Sequence, residues 1–225
     1  MKRKLSIFLV VATLFTTCFA SAETNNDGIK SQDYTYSIDG EKASYKITDN
    51  EDKRIVTLSS KNKTDSTVVL NKSTGEISLD GEVIAHVESA DENSKKISTD
   101  STYSIASGTS WSSTPFYGKS SDYTKYLGKY RNNVALSEAA INGGRAVVIA
   151  VLIAACGITG WTGGLIFSIV ANEIISRALP YVYYENKKYQ HKSLPGYWKN
   201  NFQYYRNSDF TSPIGDNTVV YSTSW

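Results

Sequence analysis

Between Arg145 and Glu173 the chain runs for twenty-seven residues without a charge, as AVVIAVLIAACGITGWTGGLIFSIVAN. A bilayer core about 30 Å thick is crossed by roughly 20 apolar residues in one helix, so length alone permits a span. The interior argues against one. Gly157, Gly160, Gly163 and Gly164 crowd its middle, and each glycine costs roughly 1 kcal/mol relative to alanine inside a helix. The stretch therefore reads as two apolar helices, about 146–156 and 165–179, joined by a turn built from those four glycines with Trp161 at its tip. Such a pair belongs either in the core of a folded domain or in a membrane entered after a change of shape. In the membrane case the contacting side chains are Val147, Val148, Ile149, Val151, Leu152, Ile153, Trp161, Leu165, Ile166, Phe167 and Ile169.

The N-terminus reads as a secretory signal over residues 1–22. Lys2, Arg3 and Lys4 precede an apolar run from Leu5 to Phe15, and Ala20-Ser21-Ala22 is an A-x-A site with cleavage expected before Glu23. The residues before Cys18 match a lipoprotein signal poorly, so plain secretion is expected. Removal of the signal leaves Cys156 as the single cysteine, so no intrachain disulfide staples the fold. Among Ile153, Ala154, Ala155 and Ile158 it reads as a small hydrophobe.

Charge divides the rest. Residues 23–100 carry 10 Lys/Arg against 16 Asp/Glu, and residues 101–225 carry 11 against 6. An acidic front half joined to a basic, partly apolar back half suggests mutual attraction and an affinity of the back half for anionic lipid. The front half, 23–88, reads as an acidic antiparallel β-meander of about six strands. Its alternating β-formers are punctuated by Asp39-Gly40 and Asp80-Gly81, pairs suited to turns with positive φ at both central residues. Residues 89–110 are Ser/Thr-rich and read as a polar linker, with Lys95-Lys96 as a cleavage point. Residues 111–225 read as a basic aromatic domain holding the helical pair within about 134–179, where 134–141 has helical character of its own. Trp111, Phe116, Tyr117, Tyr123, Tyr126 and Tyr130 interleave with Lys119, Lys125 and Lys129. The last forty-five residues add twelve aromatics, divided into strands by turn signals at 185–188, 194–196 and 212–215. In an exported protein this mixture suits a membrane interface better than nucleic acid.

Chemistry-bearing motifs are missing. His86 and His191 are the only histidines, and no H-E-x-x-H, C-x-x-C, G-x-S-x-G or P-loop pattern occurs. The expectation is a protein without catalytic residues, metal or cofactor. Gly160 and Gly164 match G-x-x-x-G, a spacing that lets helices approach closely in lipid.

The order of these parts, with the run Asn71-Lys72-Ser73-Thr74-Gly75-Glu76-Ile77-Ser78-Leu79-Asp80-Gly81 and the later Trp111-Ser112-Ser113, resembles the geobacillin-type large secreted bacteriocin family of Gram-positive bacteria. The resemblance implies antibacterial activity against related species and supplies no catalytic motif. The combined expectation is an α+β fold: meander, linker, central helical hairpin, and aromatic strands around it. Its expected function is a secreted antibacterial protein whose partner is a bacterial membrane or cell envelope. The alternative is a secreted envelope-binding or structural protein whose hairpin stays a buried core.

Overall fold

The computed structural model describes residues 22–24, 30–38, 41–60, 63–89, 110–158 and 160–223. The expected signal up to residue 21, the Asp39-Gly40 turn and the interior of the 89–110 segment, with Lys95-Lys96, lie outside the described residues. The α+β expectation is overturned. The chain is mostly β, a single antiparallel sheet with only short helices. Among the described residues twelve strands form it: β1 (Ala22–Thr24), β2 (Lys30–Ile38), β3 (Glu41–Asp49), β4 (Lys53–Ser60), β5 (Lys63–Asn71), β6 (Glu76–Leu79), β7 (Glu82–Ser89), β8 (Ser110–Ser112), β9 (Lys125–Leu136), β10 (Tyr181–Gln190), β11 (Tyr197–Tyr205) and β12 (Pro213–Thr223). Their order across the sheet is β1-β2-β3-β4-β5-β6-β7-β9-β10-β11-β12-β8. The join that unites front and back is β7 with β9, which sets Ala85 opposite Leu136 and Val87 opposite Val134. No local signal announces that pairing, which is why the meander and the aromatic strands read as separate bodies.

Local chemistry explains the strands. Tyr34 and Tyr36, Tyr45 and Ile47, Val56 and Leu58, and Val68 and Leu70 are buried at two-residue spacing, the signature of a sheet with one covered face. Asp80 and Gly81 take φ of 49° and 95°, as a two-residue hairpin turn requires. Asn71 Oδ1 accepts from the backbone N–H of Ser73 and the hydroxyl of Ser73 at 3.0 and 2.7 Å, closing the turn from β5 into β6. Two expected turns are displaced. Residues 185–188 lie inside β10, where buried Glu185 is compensated by Arg131 and Lys187, and the 212–215 signal falls at the start of β12.

Between β9 and β10 the chain makes its helical excursion: α1 (Glu138–Asn142), α2 (Arg145–Cys156) and α3 (Gly160–Arg177). The expected helix over 134–141 is half strand. Residues 134–136 complete β9, and Ser137 then caps α1 by accepting from Ala140 N at 3.3 Å. Leu136 N donates to Pro180 O at 2.7 Å, so the excursion leaves and returns at one point. α2 packs on β4, β5 and β6, whereas α3 packs on β2, β12 and β8. Strands from near both ends of the sheet thus reach the same helical pair, and the sheet curls around it with its outer face convex.

Candidate functional site

The helical pair sits on the concave side of the sheet. Every residue of α2 from Val147 to Cys156 is buried, as is Ile158 beyond it. Val147, Val148, Ile149, Val151, Leu152 and Ile153 are therefore covered by protein. α3 is two-sided. Ile166, Phe167, Val170, Ala171 and Ile174 are buried on a 3–4 residue period, whereas Ile169 is 50 % exposed. Trp161 and Leu165 lie within α3. Of the expected membrane-contacting residues whose side chains are described, Ile169 stands outside and the others are buried.

The expected four-glycine turn is shorter. Gly157 ends α2 in the left-handed region, φ 69°, with its N–H on Ile153 O at 2.8 Å, a common glycine stop. Gly160, Gly163 and Gly164 belong to α3. The purpose of Gly164 also differs from the expected helix–helix approach. A Cβ built there falls 2.0 Å from Tyr36 Cε1, so the missing side chain admits a β2 tyrosine onto the backbone of α3. Gly163 faces the turn, where a Cβ would lie 2.8 Å from Ile158 O.

Polar anchors hold this apolar unit to the sheet. Tyr45 of β3 donates its hydroxyl to Ala146 O at 3.2 Å, at the start of α2. At the other end, Arg54 Nη1 of β4 donates to Ala154 O at 2.8 Å. The carbonyls of a helix's last turn lack intrahelical partners and carry the negative end of its dipole, so a buried guanidinium suits that place. Arg54 Nη2 reaches Asp49 Oδ2 at 3.0 Å, and Lys72 Nζ lies 2.7 Å from Asp49 Oδ1, so the buried cation is compensated. From the opposite wall, Tyr204 of β11 donates to Cys156 Sγ at 3.5 Å.

Cys156 is buried, and desolvation pushes its thiol up to about 12, against the weaker opposing hydrogen bond from Tyr204. Burial likewise raises Tyr45 and Tyr204 above the ordinary phenol range. These are neutral packing groups rather than nucleophiles. His191 is elsewhere, packed between Tyr117 and Tyr123 at ring distances of 5.6 and 5.2 Å. Its Nδ1 accepts from the N–H groups of Ser193 and Leu194, both at 3.2 Å, which fixes it as a loop organiser. Sequence reasoning missed Tyr36, Tyr45 and Arg54 as partners of the helices. The one available signal was an arginine at an inward position of a strand whose next inward residues are Val56 and Leu58.

Comparison of the chain with protein-family models, with curated proteins and with solved structures finds no match.

Proposed function

We propose that this chain is a secreted antibacterial protein acting on the membrane or envelope of competing bacteria, with α2 and α3 stored inside the curled sheet until contact. The supporting observation is that α2 has no polar stripe and is covered on every side. Its six large aliphatic side chains, at roughly 1.5–3 kcal/mol each, contribute roughly 9–18 kcal/mol of burial, which matches or exceeds the usual total stability of a domain. Water alone does not draw this helix out. A second apolar phase removes most of that cost. The resemblance to large secreted bacteriocins points the same way.

Dimensions limit the manner of action. At 1.5 Å per residue, α2 is about 18 Å long and α3 about 27 Å, against a hydrocarbon core of about 30 Å. Among the described residues no helix is long and apolar enough to cross a membrane. The reading is therefore a helical pair embedded in the bilayer without crossing it, with Glu173 and Arg177 at the headgroups. A second reading, in which the pair remains a permanent core of an envelope-binding protein, is favoured by the anchors Arg54 and Tyr45.

Dye release from phosphatidylglycerol vesicles separates the two. Tyr45→Phe removes one anchor and keeps the packing, at a cost of about 1 kcal/mol. Release is expected from the purified protein and should be about fivefold faster for the variant. Vesicles that stay intact with both proteins would sink the stored-helix mechanism.

A further inference from the structure

The outer face of β9, β10 and β11 carries a grid of cations and aromatic rings that the helical pair leaves unexplained. Register sets Lys129 opposite Lys187, Arg131 opposite Glu185, and Tyr126 opposite Tyr189. Across the next interface Tyr183 faces Tyr205 and Tyr189 faces Lys199. Glu185 is the hub. Its carboxylate lies 2.8 Å from Arg131 Nε, 3.2 Å from Lys187 Nζ and 3.7 Å from Lys129 Nζ. Burial pushes this acid up, but the hydrogen bonds from Arg131 and Lys187 outweigh it and hold Glu185 ionised below the usual range. One carboxylate thus gathers three cations; Lys199 lies apart, donating to Ser120 O at 3.4 Å, and Glu88 accepts from Asn133 at 3.5 Å. The face is net positive. Its cations are also accessible: the Lys187 side chain is 48 % exposed.

The rings are arranged in two groups. Phe210 lies against Tyr183 and Tyr205 at 6.0 and 5.3 Å, with Arg131 over its face at 4.3 Å. Tyr126 meets Tyr189 at 5.3 Å, and Lys199 sits 4.8 Å over the Tyr189 ring. Tyr126 is itself 55 % exposed. Phenols have an apolar body and a polar tip, which suits them to the boundary between lipid headgroups and acyl chains.

We propose that this face is a docking surface for the headgroup layer of an anionic phospholipid bilayer. It rests on the envelope-directed reading above and names the partner. Charge selects an anion. Shape selects a sheet of anions over a single polymer strand, because the face is the convex side of a curled sheet and presents rows of rings and cations across three strands.

The test is cosedimentation of the purified protein with vesicles of phosphatidylcholine alone or mixed equally with phosphatidylglycerol. Binding should require the anionic lipid, and should weaken as salt shortens the screening length from about 10 Å to about 3 Å. Each cation near such a surface is worth roughly fivefold in partitioning, so Lys129→Gln with Lys187→Gln should lose about 25-fold. Lys42→Gln with Lys46→Gln, exposed on β3, should lose much less at equal net charge. All variants are checked by thermal melting, and Tyr126→Ala supplies an uncharged probe of the same face. Equal binding to both vesicle types, equal loss from the two lysine pairs, or binding to soluble polyglycerol phosphate without binding to vesicles would each overturn the assignment. Binding without dye release would remove the stored-helix reading and leave this one standing. Dye release that ignores Lys129 and Lys187 would do the reverse.

Discussion

On the helix side, β2–β5 and β9–β12 present comparable surfaces: Tyr36, Tyr45, Val56 and Leu70 from one wall, Tyr184, Phe202, Tyr204 and Val220 from the other, all buried. On the solvent side they part. The first wall shows Thr35, Ser44 and Lys46, with Thr35 and Ser44 joined by a hydroxyl hydrogen bond of 3.1 Å. The second shows the rings and gathered cations around Glu185. Both walls satisfy the same inward demand, because any inward side chain must fit an apolar helix. Outward positions do not have to fit the helices, so their chemistry carries the information about partners. The anchors are uneven too. The first wall contributes Arg54, Tyr45 and the Tyr36 ring, whereas the second contributes the soft contact of Tyr204 with sulfur and, just past β11, Arg206, whose Nε donates to Glu173 Oε1 of α3 at 2.6 Å. Arg54 is sealed from water whereas Arg206 is about a third exposed and its pair is screened, so if one wall parts from the helices first, the weaker grip belongs to the second.

The most severe way to break this comparison is Gly164→Leu. Its Cβ would sit within the Tyr36 ring, and overpacking costs about 1–3 kcal/mol and occasionally more. The melt should fall sharply or the chain should fail to fold. Adding Tyr36→Ala should recover part of the loss, and no recovery would show that Gly164 serves something other than β2. Next in size is Arg54→Met, which leaves Ala154 O without its donor and Asp49 with Lys72 alone. Breaking a buried pair costs about 3 kcal/mol, measured as a lower denaturant midpoint. A midpoint within error of the parent would mean that the first wall does not hold α2 by charge.

A pH series sharpens the contrast further. Cys156 is pushed up to about 12 in the fold, and Tyr45 and Tyr204 are raised as well. The unfolded chain ionises the thiol from about 8.5 and the phenols from about 10. Above those values the unfolded state binds fewer protons than the native state, so stability is full below about pH 8.5. It then falls as pH rises toward 12, by up to about 1.4 kcal/mol per pH unit for each such group. Cys156→Ala should flatten the early part of that fall. A stability flat to pH 11 would show that these groups are not sealed between the walls.

The sequence displayed local chemistry well and long-range geometry poorly. Alternation in residues 34–70 and the Asp80-Gly81 turn were legible because both depend on neighbours along the chain. The β7–β9 pairing was not, since Val87 and Val134 carry no mark of each other. Residues 185–188 looked like a turn because four polar side chains in a row are normal there. In the sheet two of them point outward into the cationic grid, and Asn186 donates inward to Asn200 Oδ1 at 3.1 Å. G-x-x-x-G pointed to a helix partner, yet the partner of Gly164 is a tyrosine from a distant strand. A glycine pattern records that something comes close, not what.

The hydrogen bond from Leu136 N to Pro180 O has a topological meaning. Strands β9 and β10 are neighbours in both sequence and space, so everything between them hangs from a single stem. Among the described residues the strand order is unbroken from β9 to β10, with the helices outside the ladder. Withdrawing the pair would break side-chain contacts and a few anchors, but it would open no rung of the ladder and unthread nothing. The barrier to such a movement therefore lies in those anchors and in solvation, and solvation is what a change of surroundings can alter.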